Sequence, residues 1–503
     1  MRSVLSRQQA PPGEQPKPRR WLLLAGLGAF AVALGLYVIY TVIHPKSFTM
    51  DPVDLAVYRS GGLIVRHVRP LYDPRLAAPL YDWIGYGKLH LPFTYTPFAA
   101  IAFAVISFVP WWLSQQLSVA VDIIALLTAL WFTLGGLGYR KDQTRLAVTL
   151  LGAAAVFWTE PVLRTIYLGQ VNLVLMALII WDLCQPDTVL KTGKSRWWKG
   201  FGTGVAAGVK LVPLIFIPYL LLARKFRQAA MACAGFAVTV LLGFAILPKD
   251  SATWWFGGLF VQGGRTGFTG WAGNQSLDGL IARLAGSVSS AKPAWIAVAV
   301  LVAAIGVTGA ALLDRKGYPV PALLMAALTG LLVSPISWDH HWVWIAPGAL
   351  VAAHYSVRAV RRGARKAVPA RGGLGGPPPL ASIALGILAA GIVAWFGAWP
   401  ARLFTAKLNL GNDSLGLLWI PVNTNPIYYQ RYGDQPWFTE YHWHGLALIA
   451  GNAYVLAGLA LFGLLGVLAL LLPPPAKEHT DEPGVTGART QGSLRGRLRL
   501  PAA

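Results

Sequence analysis

Long apolar runs separated by short basic segments carry most of the chain from Trp21 to Leu472. They lack the period-two alternation of barrel strands, and in a bilayer every backbone polar group must be bonded within its own segment. The pattern therefore predicts membrane helices. Residues 21–43, 93–113, 114–137, 146–158, 171–183, 202–222, 229–247, 294–313, 319–333, 342–353, 381–399 and 450–472 give about twelve. An even number leaves both ends on one side. The expected fold class is an all-α polytopic membrane protein.

Composition agrees with that reading. The 503 residues are 55% hydrophobic and 13% charged, with a mean hydropathy of +0.52, too apolar for a soluble chain of this length. A net charge of +23 raises nucleic acid as a partner, but its distribution argues against one. Basic residues collect in a 1–20 tail, at 191–199, 224–227 and 358–371, and in the C-terminal tail. Short basic segments flanking apolar spans follow the positive-inside rule, which places them and both termini in the cytoplasm of a plasma-membrane protein. Residues 21–43 are too long for a signal-peptide core and predict an uncleaved anchor. The membrane domain is then 21–472, and loops 44–92, 248–293, 334–341 and 401–449 lie on the extracytoplasmic face. The 356–380 stretch, ending in GGLGGPPP, reads as a flexible cytoplasmic linker, and 473–503 as a disordered tail. Between Pro92 and Arg224 the basic segments do not alternate. A broken or re-entrant segment is expected there, with Gly208–Pro213 as the candidate. Cys184 and Cys233 sit in or beside apolar segments and read as small core residues.

Polar residues with chemical potential crowd the extracytoplasmic side. MDPVDLAVYRSGG, residues 50–62, follows the first span and carries Asp51 and Asp54. A carboxylate there either serves as a general base whose pKa burial raises, or caps the turn that begins at Leu55. Arg59, Arg66 and Arg69 follow at helical spacing and either hold a phosphate or pair with the aspartates. HLPFTYTPF, residues 90–98, reads as an interfacial aromatic belt or a cavity lip. EPVLRTIYLGQVN, residues 160–172, interrupts two apolar runs with Glu160, Arg164, Tyr167, Gln170 and Asn172. It forms a polar wall or a simple turn. Lys210 lies at membrane depth, where an ammonium is costly and marks a function such as binding a lipid phosphate, unless it snorkels to an interface. Residues 254–279 are dense in Gly, Trp and amides, the vocabulary of a sugar site and equally of a loop lying on headgroups. SPISWDHHWVW, residues 334–344, places Asp339, His340 and His341 at a helix start. Adjacent histidines point about 100° apart, which suits one facing a cavity and does not suit a two-histidine metal site.

Taken in order, DPVDLAVYRSGG, PFTYTPFAA, YLGQVNLVLMAL, GVAAGVKLVPLIF, GNQSLDG and SPISWDHHWVW resemble glycosyltransferase family 87. These are polytopic GT-C enzymes of actinobacteria that use polyprenyl-phosphate sugar donors. The resemblance covers roughly 50–347 and is to α-(1→2)-mannosyltransferases of phosphatidylinositol mannosides or lipomannan. It implies inverting transfer of mannose from polyprenyl-phosphate mannose to a glycolipid hydroxyl, with no cofactor and no metal. Carried over residue by residue, the catalytic carboxylate falls on Asp54, with Asp51 its neighbour, and the catalytic histidine on His340 or His341. Lys210 would bind donor phosphate, helped by Arg59 and Arg164. Gln170, Asn172, Asn274 and Gln275 would bind sugar hydroxyls, and Tyr58, Tyr95, Tyr167, Trp271 and Asp339 join them as sugar or acceptor contacts. Two other readings fit the same residues: an arabinofuranosyltransferase using polyprenyl-phosphate arabinose, and a transporter of a lipid-linked sugar with Lys210 in a broken helix.

Overall fold

The computed structural model describes residues 20–43, 52–73, 75, 91–188, 193, 196–366, 380–398, 416–421 and 434–473. Much of the expected 44–92 and 401–449 loops, and both tails, lie outside the described residues. Among those described there is no strand, only the isolated bridges Thr159 with Gly397 and Asn274 with Trp338. Helices Arg20–Ile39, Trp111–Gly136, Phe226–Ile246, Val288–Arg315 and Ala453–Leu471 are long and apolar enough to cross a membrane. A sixth span exists if Glu160–Leu168 and Asn172–Leu183, bent by 116°, count as one.

Several of the expected spans are shorter helices among the described residues. Apolar helices such as Gln143–Phe157 and Pro319–Val333 have 15 residues each, about 22 Å of rise against a hydrocarbon core of about 30 Å. They pack on longer neighbours instead. Gln143–Phe157 lies on Arg20–Ile43, and Pro319–Val333 lies on Val288–Arg315. Helix Phe201–Val209 meets Phe226–Ile246 so closely that a Cβ on Gly204 would stand 2.0 Å from the Ala232 carbonyl, and one on Gly235 2.3 Å from that of Phe201. Only glycine allows this approach, the usual device where two membrane helices touch through their backbones.

Three departures from regular helix determine where the polar groups go. The expected interruption near Gly208–Pro213 occurs at Lys210, which is extended (φ −141°, ψ 125°) between helix Phe201–Val209 and the 3-10 turn Val212–Ile215. A second break comes at Gly169, left-handed at φ 64°, which ends helix Glu160–Leu168 and turns the chain into Asn172–Leu183. The third is the 3-10 segment Asp339–Trp344.

Two local expectations are corrected. Residues read as a loop form helix Val53–Arg66, which buries Leu55, Ala56, Val57, Leu63 and Ile64. Its first turn holds Asp54, which makes no side-chain cap bond. Helix Ile345–Lys366 also runs on into the stretch expected as a linker, because after Pro347 in its first turn no proline or glycine pair follows until Pro369.

Candidate active site

The three breaks meet helix Val53–Arg66 around one cleft of about 210 Å³, whose walls include Asp54, Tyr95, Gln170, Lys210, Trp338 and His341. Lys210 reaches it because its backbone leaves the helix there. Its Nζ donates to Asn172 Oδ1 and to His341 Nε2, each at 2.9 Å. Asn172 Nδ2 in turn donates to the His340 carbonyl at 2.9 Å, as does Thr165 Oγ1 at 3.0 Å. One amide thus ties the break at Lys210 to the segment bearing both histidines. Burial first, then the positive charge of Lys210 and His340, holds His341 well below the ordinary histidine range. A neutral ring accepts the ammonium proton at Nε2, which leaves one of the three Lys210 N–H bonds free for the cleft.

Asp54 lines the same cleft and is half-buried. Burial pushes its carboxyl above the ordinary range, opposed by the charges of His340 and Lys210, a hydrogen bond from Gln170 and the charge of Arg164. Desolvation outweighs these opposing contributions. Gln170 is spent on this arrangement. Its Oε1 accepts from the Tyr58 hydroxyl and from the Val171 N–H, and its Nε2 donates to the Tyr95 hydroxyl at 3.2 Å. Tyr58 stacks on Phe103 at 4.2 Å and meets Tyr95 edge-on at 5.2 Å. Tyr95 and Gln170 still form cleft wall; Tyr58 is behind it.

The adjacent histidines separate by role. His341 belongs to Lys210. His340 Nδ1 pairs with Asp339 Oδ1 at 3.0 Å, while its Nε2 is buried without a hydrogen-bond partner. The two rings stand edge to face at 4.8 Å. Asp339 Oδ2 lies 3.5 Å from Arg164 Nε. Burial raises the Asp339 carboxyl, but the His340 hydrogen bond and charge and the Arg164 charge outweigh it and hold it well below the ordinary range.

Several sequence expectations are not brought to the cleft. Arg59 donates to the Ile106 carbonyl at 2.7 Å, the Val109 carbonyl and Ser114 Oγ at 2.9 Å. It clamps the turn before helix Trp111–Gly136. We expect Arg59→Ala to cost about 2 kcal/mol of stability and to leave donor KM unchanged, read by a thermal midpoint and a donor titration. Arg164 faces Asp339, Tyr167 (5.4 Å to the ring) and Trp419 (5.7 Å), so neither it nor Tyr167 stands in the cleft lining. Asn274 and Gln275 use both ends of their amides on backbone. Asn274 Nδ2 donates to Thr269 and Pro335 carbonyls and its Oδ1 accepts from Ser337 N–H. Gln275 Nε2 donates to Ala272 and Gly451 carbonyls and its Oε1 accepts from Tyr454 N–H. These bonds hold the loop, and neither residue lines the cleft. Trp271 packs on Trp338 at 5.6 Å and Trp419 at 5.3 Å, and Trp338 and Trp254, not Trp271, line the cleft. Asp51 lies outside the described residues.

Sequence reasoning missed Arg265, which also lines the cleft. It donates to the Phe93 carbonyl at 3.2 Å and lies 5.5 Å from the Tyr72 ring. Its signal was a lone arginine in a glycine-rich loop, QGGRTG.

A family model described as glycosyltransferase family 87 matches residues 93–335. A Mycobacterium tuberculosis polyprenol-phosphate-mannose-dependent alpha-(1-2)-phosphatidylinositol mannoside mannosyltransferase is 34% identical over 345 residues, 66% of this chain and 75% of that enzyme. A Mycolicibacterium smegmatis enzyme named for phosphatidylinositol pentamannoside is 33% identical over 361 residues, 70% of this chain and 81% of its own length. No solved structure matches. With identity at this level over three quarters or more of each enzyme, the chain belongs to glycosyltransferase family 87 and is a membrane glycosyltransferase.

Proposed function

We propose that the chain transfers mannose from polyprenyl-phosphate mannose to a hydroxyl of a phosphatidylinositol mannoside or lipomannan acceptor, forming an α-(1→2) linkage on the extracytoplasmic face. One observation carries the chemistry: a carboxyl, Asp54, and an ammonium with a free donor, Lys210, share one cleft. Behind Lys210 and His341 lies a hollow of about 50 Å³ walled by Leu175, Met176, Phe216, Leu331 and Trp344, a surface suited to the first isoprenoid units of a lipid-borne donor. The relatives' names supply the sugar and the linkage, and the basic segments from Arg224 onward, which fall on one side of the apolar spans, support the sidedness.

In this reading Asp54 takes the proton of the acceptor hydroxyl as its oxygen bonds to the anomeric carbon, on the face opposite the phosphate. The carbon–oxygen bond to phosphate breaks, its electron pair leaves with polyprenyl phosphate, and a β donor becomes an α product. The donor phosphate carries one negative charge before transfer and tends to two after it, and Lys210 balances that gain. His341 holds Lys210 in place. His340 is oriented by Asp339 through its Nδ1.

The test is a membrane-fraction assay with polyprenyl-phosphate mannose and, separately, polyprenyl-phosphate arabinose, on a mixed lipid-glycan acceptor pool. Mannose transfer is expected. Arabinose transfer alone would keep the site and replace the substrate, and transfer from neither would favour a lipid-linked sugar transporter.

A further inference from the structure

The cleft has two ends of different character. Lys210, Val212 and His341 line both the cleft and the apolar hollow behind it, which gives that end to a lipid-borne donor. Arg265 and Trp338 line the cleft alone. Neither is taken up by the protein in the way its neighbours are. Asn274 and Gln275 are paired with backbone at both ends of their amides, and Trp271 is packed against Trp338 and Trp419. The Trp338 indole N–H, by contrast, makes no hydrogen bond among the described residues. The half-buried Arg265 guanidinium gives one N–H to the Phe93 carbonyl at 3.2 Å, keeps the others, and meets no carboxylate among the described residues.

The indole is held from behind. Its six-membered ring lies against Gly267, where a Cβ would stand 2.7 Å from Cζ2 and 2.9 Å from Cη2, and Trp271 meets it edge to face at 5.6 Å. Gly267 has φ 134°, a conformation that glycine alone takes without strain, so backbone can touch the ring. The turn Gly263–Thr266, just before Gly267, carries Arg265. One short piece of chain therefore fixes the aromatic plane and supplies the cation that shares its cleft. A fixed indole and a forked donor with N–H bonds to spare together match a hexose, which offers a C–H face to the ring and adjacent hydroxyls to the fork. An anion would suit Arg265 but would leave the indole without a partner.

We propose that Trp338 and Arg265 form the acceptor subsite: the terminal hexose of the glycolipid packs a C–H face on the indole, bonds through its hydroxyls to the guanidinium, and presents a further hydroxyl to Asp54. Both are specificity-determining residues, and Gly267 positions the first of them. This deepens the mannosyl-transfer reading and rests on it for the identity of the hexose.

The experiment uses the full chain in lipid nanodiscs, with transfer kinetics on the glycolipid acceptor and, without any donor, saturation-transfer NMR on methyl α-mannoside against protein-free nanodiscs. Arg265→Ala is expected to raise acceptor KM roughly 10- to 100-fold, the worth of hydrogen bonds from a charged group, with donor KM within about twofold. Trp338→Ala is expected to raise acceptor KM about 3- to 10-fold and to abolish saturation of the ring C–H protons of the mannoside. Gly267→Ala, which drives a methyl into the indole, should shift acceptor KM in the same direction. If Trp338→Ala is not recovered folded, Trp338→Phe replaces it, and its smaller ring should give weaker saturation than wild type. Acceptor KM unmoved in Arg265→Ala or in the Trp338 variant, donor KM rising in place of acceptor KM, or saturation equal with and without the indole each overturns the proposal. A wild type that uses neither polyprenyl-phosphate donor would sink the mannosyl-transfer reading, and the mannoside spectra, which need no donor, would still decide the subsite.

Discussion

Asp54→Asn is expected to lower kcat/KM for mannosyl transfer by about 10²- to 10⁴-fold, the range that a positioned general base contributes. That is about 3 to 5 kcal/mol of transition-state stabilisation. Asparagine preserves size and can still meet Gln170, so expression, extraction and thermal midpoint should match wild type. The acid limb of the wild-type pH profile carries the same assignment. The base is the ionised form, and burial raises the Asp54 carboxyl above its ordinary value, about 3.9 in a free side chain. Activity should therefore fall as pH drops through a value above that, and the limb should vanish from any residual activity of Asp54→Asn. Full activity in Asp54→Asn, or an acid limb that persists in it, would remove Asp54 from the base role.

Where polar residues interrupt apolar runs, the sequence already marks the site. Asp54, Gln170, Lys210 and His341 all line one cleft; Lys210 was conspicuous because a charge at membrane depth needs a reason, and the other three because they interrupt or follow apolar runs on the side where polar residues collect. What the pattern cannot carry is the direction in which a polar side chain turns. Arg59 and Arg164 have the chemistry of phosphate ligands, but one clamps three oxygens of a turn and the other faces Asp339. Asn274 and Gln275 have the chemistry of sugar ligands, but a glycine-rich loop leaves backbone groups unpaired and the two amides satisfy them. The adjacency of His340 and His341 left their roles open until tertiary contacts separated them. Hydropathy leaves the span count open for a related reason. Hydropathy does not distinguish a helix that crosses lipid from one buried against its neighbours, and length alone separates Pro319–Val333, with 13 of its residues buried, from a full crossing. Glu160 was visible only as one polar residue among several, because its partners Trp419 and Tyr454 lie more than 170 positions away.

Lys210→Ala should impair the donor side of the reaction and spare the acceptor side. The free N–H of the Lys210 ammonium would make a charge-assisted hydrogen bond, worth about 1.5–3 kcal/mol, or roughly 10- to 150-fold. Because the phosphate is already charged when the donor binds, part of that loss appears as a higher donor KM. Because a second negative charge builds as polyprenyl phosphate departs, part appears in kcat as well. Acceptor KM, set elsewhere in the cleft, should not move. Lys210→Arg keeps the charge, yet a guanidinium is too broad to meet Asn172 and His341 in the places a compact ammonium does, so it should recover only part of the donor affinity. Stability should not fall in step with activity, since removing a buried ammonium also removes its desolvation cost. A donor KM and kcat both unchanged in Lys210→Ala would take the phosphate away from Lys210 and direct attention to Arg265, the other cation on the cleft wall.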